Sequence, residues 1–349
     1  MSKKDYELIT LPNGIRIIHK EVPQTKIAHV GIMLDMGSRD ELSNEQGLAH
    51  FLEHMAFKGT TKRNSFHIIN RLESLGGELN AYTTKEKICF YASLLDIHVD
   101  KAVELLADIT FNSIFPEKQI EKERSVILEE MSMYPEDSIQ DEFDEQLFPN
   151  HALGKNILGT ETTVRSFHQN NFTTFLSRNL NTEKIILSSV GNYSIKKIEK
   201  LARKYLEDIP HKNHTPERNW FSGYTPTRKE LRKPITQAHF AMGMPSLSIK
   251  DENRIPFFFL VNLLGGPSMN SRLNLSLREK HGLVYGVDAH YAPFLETGQF
   301  AIYFATDPKN LKKSQRIILK EIEALKTKPL GRIQLQKAKN QIKGQMALS

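Results

Sequence analysis

The chain is poor in cysteine. Cys89 is the only one among 349 residues, so no disulfide can form within the chain and a disulfide-stapled secreted fold is excluded. It lies in the apolar run Ile88-Cys89-Phe90-Tyr91-Ala92, where a thiol behaves as a small buried strand residue. Long hydrophobic runs are also missing. None approaches the roughly 18–20 residues that a membrane helix needs, so a membrane is not an expected partner. The opening Met1-Ser2-Lys3-Lys4-Asp5-Tyr6 has neither the apolar stretch of a secretory signal nor the Arg/Ser-rich pattern of a transit peptide, and the expected location is cytoplasmic. Charge of one sign is scarce as well, with 47 basic against 41 acidic residues and a net charge of +6. The lysines at Lys196-Lys197, Lys309 to Lys313 and Lys337 to Lys343 read as exposed helix faces without base-stacking aromatics, so nucleic acid is not expected as a partner either.

What the chain does have is the stretch Gly47-Leu48-Ala49-His50-Phe51-Leu52-Glu53-His54-Met55-Ala56-Phe57. Its apolar stripe Leu48, Phe51, Leu52, Met55 has the i, i+3, i+4, i+7 spacing of a helix face. His50 and His54, four apart, then stand one turn above the other and can share one metal ion. Glu53 sits beside them. Ser43 and Gln46 have capping-box spacing ahead of the run, which predicts where the helix starts. A helix with a merely polar outer face is the competing reading. Against it, burying a chelating pair and an acid without partners costs a few kcal/mol, a cost that zinc removes.

A catalytic zinc normally has three protein ligands, so a third must come from elsewhere. Pro116 opens a charged helical pattern in which Ile120, Glu123, Ile127, Glu130 and Tyr134 fall on one stripe. Glu123 and Glu130 share the face of the isoleucines, whereas Glu121 and Glu129 rotate away. Taken alone, the segment also reads as a solvated acidic helix.

At these residues the chain resembles a known family. The order His-x-x-Glu-His marks the inverzincins, and the surroundings are similar to the zinc peptidases of the mitochondrial processing peptidase, pitrilysin and insulin-degrading enzyme family, above all its short bacterial processing-peptidase-like members. In that family the third ligand is a glutamate roughly 75 residues past the second histidine, in a phrase like Glu-Arg-x-Val-Ile-x-x-Glu. Here Glu123-Arg124-Ser125-Val126-Ile127-Leu128-Glu129-Glu130 matches, and 130 − 54 = 76. The resemblance thus selects Glu130 as ligand and Glu123 as its supporting acid. Further matching phrases follow in order: Leu11-Pro12-Asn13-Gly14, Gly37-Ser38-Arg39-Asp40-Glu41, Phe57-Lys58-Gly59-Thr60, Gly76-Gly77-Glu78-Leu79-Asn80-Ala81-Tyr82-Thr83, Leu158-Gly159-Thr160, and Ser271-Arg272-Leu273 with Leu277 to Tyr285.

The resemblance implies a zinc metalloendopeptidase with one Zn2+ per chain, held by His50, His54 and Glu130, with Glu53 as general base. It implies a peptide substrate, gripped in an enclosed chamber by the edge-strand residues Asn80, Ala81, Tyr82 and Thr83. Arg278 and Tyr285 match the family's pair over the scissile carbonyl, which a partner subunit supplies, so a clamshell dimer is expected, either a homodimer or a heterodimer with a related chain. The acidic run Tyr134 to Glu145 would favour basic peptides if it lines that chamber. A non-catalytic partner or scaffold subunit of the same fold is the alternative.

The expected fold is α+β, with two similar domains that each pack helices on an antiparallel-rich sheet. Residues 1–207 form the catalytic zinc-binding domain, the proline- and charge-rich 208–234 a linker, and 235–349 the second domain. Ala28-His29-Val30-Gly31-Ile32-Met33 parallels Ala238-His239-Phe240-Ala241-Met242-Gly243, and Glu123 to Met131 parallels Lys337 to Met346. The second copy lacks His-x-x-Glu-His, so the first alone is expected to hold zinc. It also ends soon after Met346 and reads as truncated at its C-terminus.

Overall fold

A computed structural model describes residues 5–133, 138–214 and 216–348. The chain divides into two compact units, Met1–Met133 with Lys155–Asn219 and Tyr134–Gly154 with Trp220–Ser349. Both are α+β.

The first unit is built on six strands, β1 (Glu7–Thr10), β2 (Arg16–Glu21), β3 (Ile27–Leu34), β4 (Glu78–Thr83), β5 (Ile88–Leu95) and β6 (Ile186–Gly191), in the order β1-β2-β6-β3-β5-β4. β2 and β6 run parallel and every other pair antiparallel. Alternation decides which side of a strand is buried. In β3, Ala28, Val30, Ile32 and Leu34 are buried while Ile27 and His29 are exposed. The helices of this unit are α1 (Leu48–Met55), α2 (Ser65–Glu73), α3 (Val99–Phe111) and α4 (Glu117–Met133). After α5 (Ser138–Leu147), which belongs to the second unit, come α6 (Glu161–Ser166), α7 (Gln169–Asn179) and α8 (Ile195–Leu206). α3 and α8 lie on the sheet, and α1 stands beside β4 and packs on α4 and α7. Cys89 is buried in β5, as expected of its apolar run.

Three antiparallel strands, β7 (Ala238–Ser246), β8 (Val284–Pro293) and β9 (Gly298–Thr306), form the sheet of the second unit in the order β7-β9-β8. α9 (Arg254–Gly265) packs on β8 and α5 on β7, followed in sequence by α10 (Leu311–Thr327) and α11 (Arg332–Leu348). Its core gathers Val261, Leu264, Leu273, Leu277, Val287, Ile302, Phe304 and Ile318. Phe148 and Phe294 join α5 and its following loop to the strand end, with ring centroids 5.9 Å apart.

Residues 210–214 and 216–233 form neither helix nor strand. The part of this segment up to Asn219 belongs to the first unit and is fastened there. Arg218 pairs with Asp40 at 2.7 Å and with Asp35 at 3.0 Å, and Arg39 donates to the Asn219 carbonyl at 2.6 Å. Among the described residues no helix is long and apolar enough to cross a membrane.

Candidate metal centre

α1 starts at Gly47, whose φ of 93° is a left-handed conformation that favours glycine. A Cβ at Gly47 would run into the Leu158 carbonyl oxygen, and one at Gly159 (φ 79°) into that of Gln46. Backbone therefore seats directly on backbone where the helix begins. The expected capping box is absent. Ser43 caps nothing and only receives a bond from the Gln46 amide to its carbonyl, at 3.3 Å. The orphan N–H groups go instead to Glu41, whose carboxylate accepts from Gly47 at 3.0 Å and Ala49 at 2.7 Å. Burial pushes the Glu41 carboxyl up to about 8, against the pull of those two bonds.

α4 is set in rotation by Arg124, a buried side chain that donates to the carbonyls of Val164 and Phe167. With Ile120 and Ile127 fully buried, Glu123 is buried and Glu130 half-buried, while Glu121 and Glu129 are exposed. The result is convergence. His50 Nε2 lies 3.8 Å from one Glu130 oxygen and His54 Nε2 lies 3.8 Å from the other. Among the described residues these three form the one group of His, Cys, Asp or Glu side chains placed to hold a metal ion. Tyr134, expected on the same stripe, lies outside the described residues, as do Pro135, Glu136 and Asp137 of the acidic run.

The donor set suits zinc. Burial, reinforced by the neighbouring His54, lowers the His50 pKa to about 4, so that imidazole is neutral at pH 7 with a lone pair to offer. Its Nδ1 is buried without a partner. The ligand atoms of the three side chains lie within 4.8 Å of one another, close enough for a single ion to gather them. Behind His54 stands Glu123, 3.2 Å from Nδ1, and Glu123 in turn is 2.7 Å from the Lys58 ammonium. Burial pulls the Glu123 carboxyl upward, but the bonds to His54 and Lys58 outweigh it and hold it below its ordinary pKa.

Glu53 lies beside this group. Burial raises its pKa and Glu130's charge adds to the rise, while hydrogen bonds from the Thr83 hydroxyl and backbone and the charge on His54 oppose it. Thr83 ends β4, the edge strand, which among the described residues pairs with β5 alone. Because Thr84 N donates to Lys87 O at 2.8 Å, alternation leaves the N–H groups of Thr83 and Ala81 facing away from β5. Asn80 Oδ1 takes the Ala81 N–H at 2.8 Å, and the Tyr82 side chain is exposed. Sequence reasoning missed Glu41, Lys58 and the bond from Thr83 to Glu53. The phrases Gly37 to Glu41 and Phe57 to Thr60 were visible, but nothing in them named a partner.

In the second unit, Arg278 lies in a π-helical turn, Asn274–Glu279, with its guanidinium 5.5 Å from the centre of the Tyr285 ring. A register shift between Val284 and Val287 bulges β8, and Tyr285 is 88% exposed. Two acids of the run after α4 already have partners in that unit. Glu142 pairs with Lys229 at 2.6 Å, and Asp144 accepts from Gln299 at 2.6 Å.

Two α+β units, one of them bringing a His-x-x-Glu-His helix against a glutamate of a later helix, define an inverzincin fold. Residues 16–161 match the insulinase family (peptidase family M16) and residues 166–342 match the peptidase M16 inactive domain; the chain belongs to this family. It is 34% identical over 346 residues to an uncharacterized zinc protease, YmxG, of Bacillus subtilis, covering 97% of this chain and 83% of that protein. An uncharacterized zinc protease of Rickettsia bellii is 31% identical over 352 residues, covering 99% and 84%. Among solved structures, a peptidase M16 inactive domain from Pseudomonas fluorescens superimposes with a TM-score of 0.90 at 18% identity, covering 99% of this chain and 85% of that one. A protease from Helicobacter pylori superimposes with a TM-score of 0.85 at 22% identity, covering 98% and 85%.

Proposed function

We propose that the chain is a zinc-dependent endopeptidase that cleaves peptides or unfolded segments in an enclosed chamber, with zinc held by His50, His54 and Glu130. The observation that carries this reading is the approach of both imidazoles to the two oxygens of Glu130, with Glu53 alongside. When bound, zinc supplies a Lewis acid that makes water ionisable near neutral pH. Glu53 takes the proton of the attacking water and hands it to the leaving amine. Its raised pKa favours the uptake, and Thr83 holds the carboxylate in place. The outward carbonyls of Ala81 and Thr83, whose N–H groups are taken by Asn80 and Glu53, align an extended peptide along β4, with Asn80 and Tyr82 flanking it. Arg278 and Tyr285, already paired with each other, stabilise the developing oxyanion from the second unit of a partner chain in a dimer.

The test is zinc content together with hydrolysis of a quenched peptide, with and without chelator. Stoichiometric zinc and chelator-sensitive cleavage support the proposal. Zinc without cleavage would assign the chain to the non-catalytic partner subunits of the fold, and no zinc would remove the proposal altogether.

A further inference from the structure

Lys58 follows the last turn of α1, and its backbone is fixed on both sides. Lys58 N donates to Met55 O at 3.1 Å, and Gly59 O accepts from Ile114 N at 3.1 Å, two residues before the proline that opens α4. Gly59 lies so close to that proline that a Cβ there would stand 3.3 Å from Pro116 Cγ. The ammonium is thereby delivered to α4 by the turn that leaves α1, which is held against the residues just ahead of α4. The Lys58 side chain is 25% exposed and that of Glu123 only 11%, so the 2.7 Å pair between them is largely withdrawn from solvent. It differs from the freely solvated pairs of the surface, such as Arg165 with Glu161.

Each oxygen of Glu123 has a different partner. Oε1 faces the ammonium and Oε2 faces His54 Nδ1. A carboxylate can only accept, so His54 Nδ1 must carry the proton and its Nε2 is left with a lone pair on the side of Glu130 and His50. His50 has no such arrangement, since its Nδ1 is buried without a partner. One imidazole of the pair is preset and the other is not.

We propose that Lys58 is a positioning residue of the metal centre: by locking Glu123 it fixes the tautomer and ring orientation of His54. The proposal rests on the zinc reading for its consequence, a tighter metal site, but not for the tautomer itself. Without Lys58, the Glu123 carboxylate loses its second anchor, can swing away from Nδ1, and frees the His54 ring to exchange tautomers.

The test uses the full chain and the variants Lys58→Met, Lys58→Arg, Glu123→Gln and the Lys58→Met/Glu123→Gln pair, each checked for a native circular-dichroism melt. In metal-free protein, 15N-histidine NMR is expected to show His54 as the Nδ1–H tautomer in the parent chain and in Lys58→Arg, and as a mixture in Lys58→Met. Zinc affinity, measured by competition with a chromogenic chelator, is expected to fall about 10–100-fold in Lys58→Met, the range usual for such outer partners, and to be largely restored by arginine. The double variant should be no weaker than Glu123→Gln alone, because Lys58 acts through Glu123. An unchanged His54 tautomer in folded Lys58→Met, or additive losses in the double variant, would overturn the proposal. A parent chain that binds no zinc but keeps the preset tautomer would sink the peptidase reading and leave Lys58's role standing.

Discussion

The α1–α4 contact of the first unit and the α9–α11 contact of the second are both made helix on helix, and they are chemically opposite. Between α1 and α4 stand two imidazoles and three carboxylates, with 3.8 Å gaps and an unpartnered His50 Nδ1. Around α9 and α11 the polar groups are mostly amides. Asn262 donates to Gln345 at 3.0 Å, Gln345 to Ser268 at 2.7 Å, and Asn270 to Gln341 at 3.3 Å. An amide is donor and acceptor at once, so such groups link to one another without a cation, although Asn262 Oδ1 is itself buried without a partner. Imidazole lone pairs facing a carboxylate are acceptors facing acceptors, and they close only around a cation or a proton. The same helix-on-helix packing thus serves as a joint in one unit and a socket in the other.

The strongest way to break this comparison is to turn the socket into the joint. His54→Asn with Glu130→Gln should abolish stoichiometric zinc, read by metal analysis, and reduce peptide cleavage to background. Next comes Glu53→Gln, which should keep zinc at one per chain while cleavage falls by about 10²–10⁴-fold, the usual weight of a general base. Near-normal turnover would remove Glu53 from the mechanism. Tyr285→Phe and Arg278→Ala should leave zinc untouched and lower kcat more than they raise KM, because oxyanion contacts act in the transition state. Equal zinc loss in these variants would show that the second unit bears on the metal and not on the reaction.

A pH scan sharpens the contrast further. In metal-free protein, His50 stays neutral down to about 4 when folded but protonates near 6.5 when unfolded. The unfolded state therefore binds the extra proton between these values, and stability falls as pH drops from about 6.5 to about 4, by up to about 3 kcal/mol at 1.36 kcal/mol per pKa unit. The amides of α9 and α11 do not titrate. Chemical denaturation of the parent chain and His50→Asn across this window should show a shallower slope in the variant. The smallest effect is expected at Ser43, which is exposed and caps nothing. Ser43→Ala should change stability by less than about 0.5 kcal/mol, against about 1 kcal/mol for loss of a working cap such as Glu41.

The parts of this comparison that were readable in the sequence are those governed by local periodicity. Four-residue spacing put His50 and His54 on one face, and the phase of Ile120 and Ile127 turned Glu123 and Glu130 inward and Glu129 outward. Alternation gave β3, and the strand expected at Ala238 to Gly243 is found as β7, without alternating burial. What could not be read depends on distant partners. Glu41 reaches α1 from outside any capping pattern, Lys58 meets Glu123 across 123 − 58 = 65 residues, and Thr83 meets Glu53 across 83 − 53 = 30. Nor does chain order reveal that α5, inserted between α4 and α6, belongs with the second unit.

The meeting of Gly47 and Gly159 has a consequence for how such a site can change over time. Elsewhere in the core, a lost methyl at one position can be made good by a larger neighbour, and the helices drift by small steps. At this seat there is no side chain to trade, so the start of the helix that carries the first imidazole has no fine adjustment. Lineages of this chain can retune what surrounds the socket, but its footing is either kept whole or lost in one substitution.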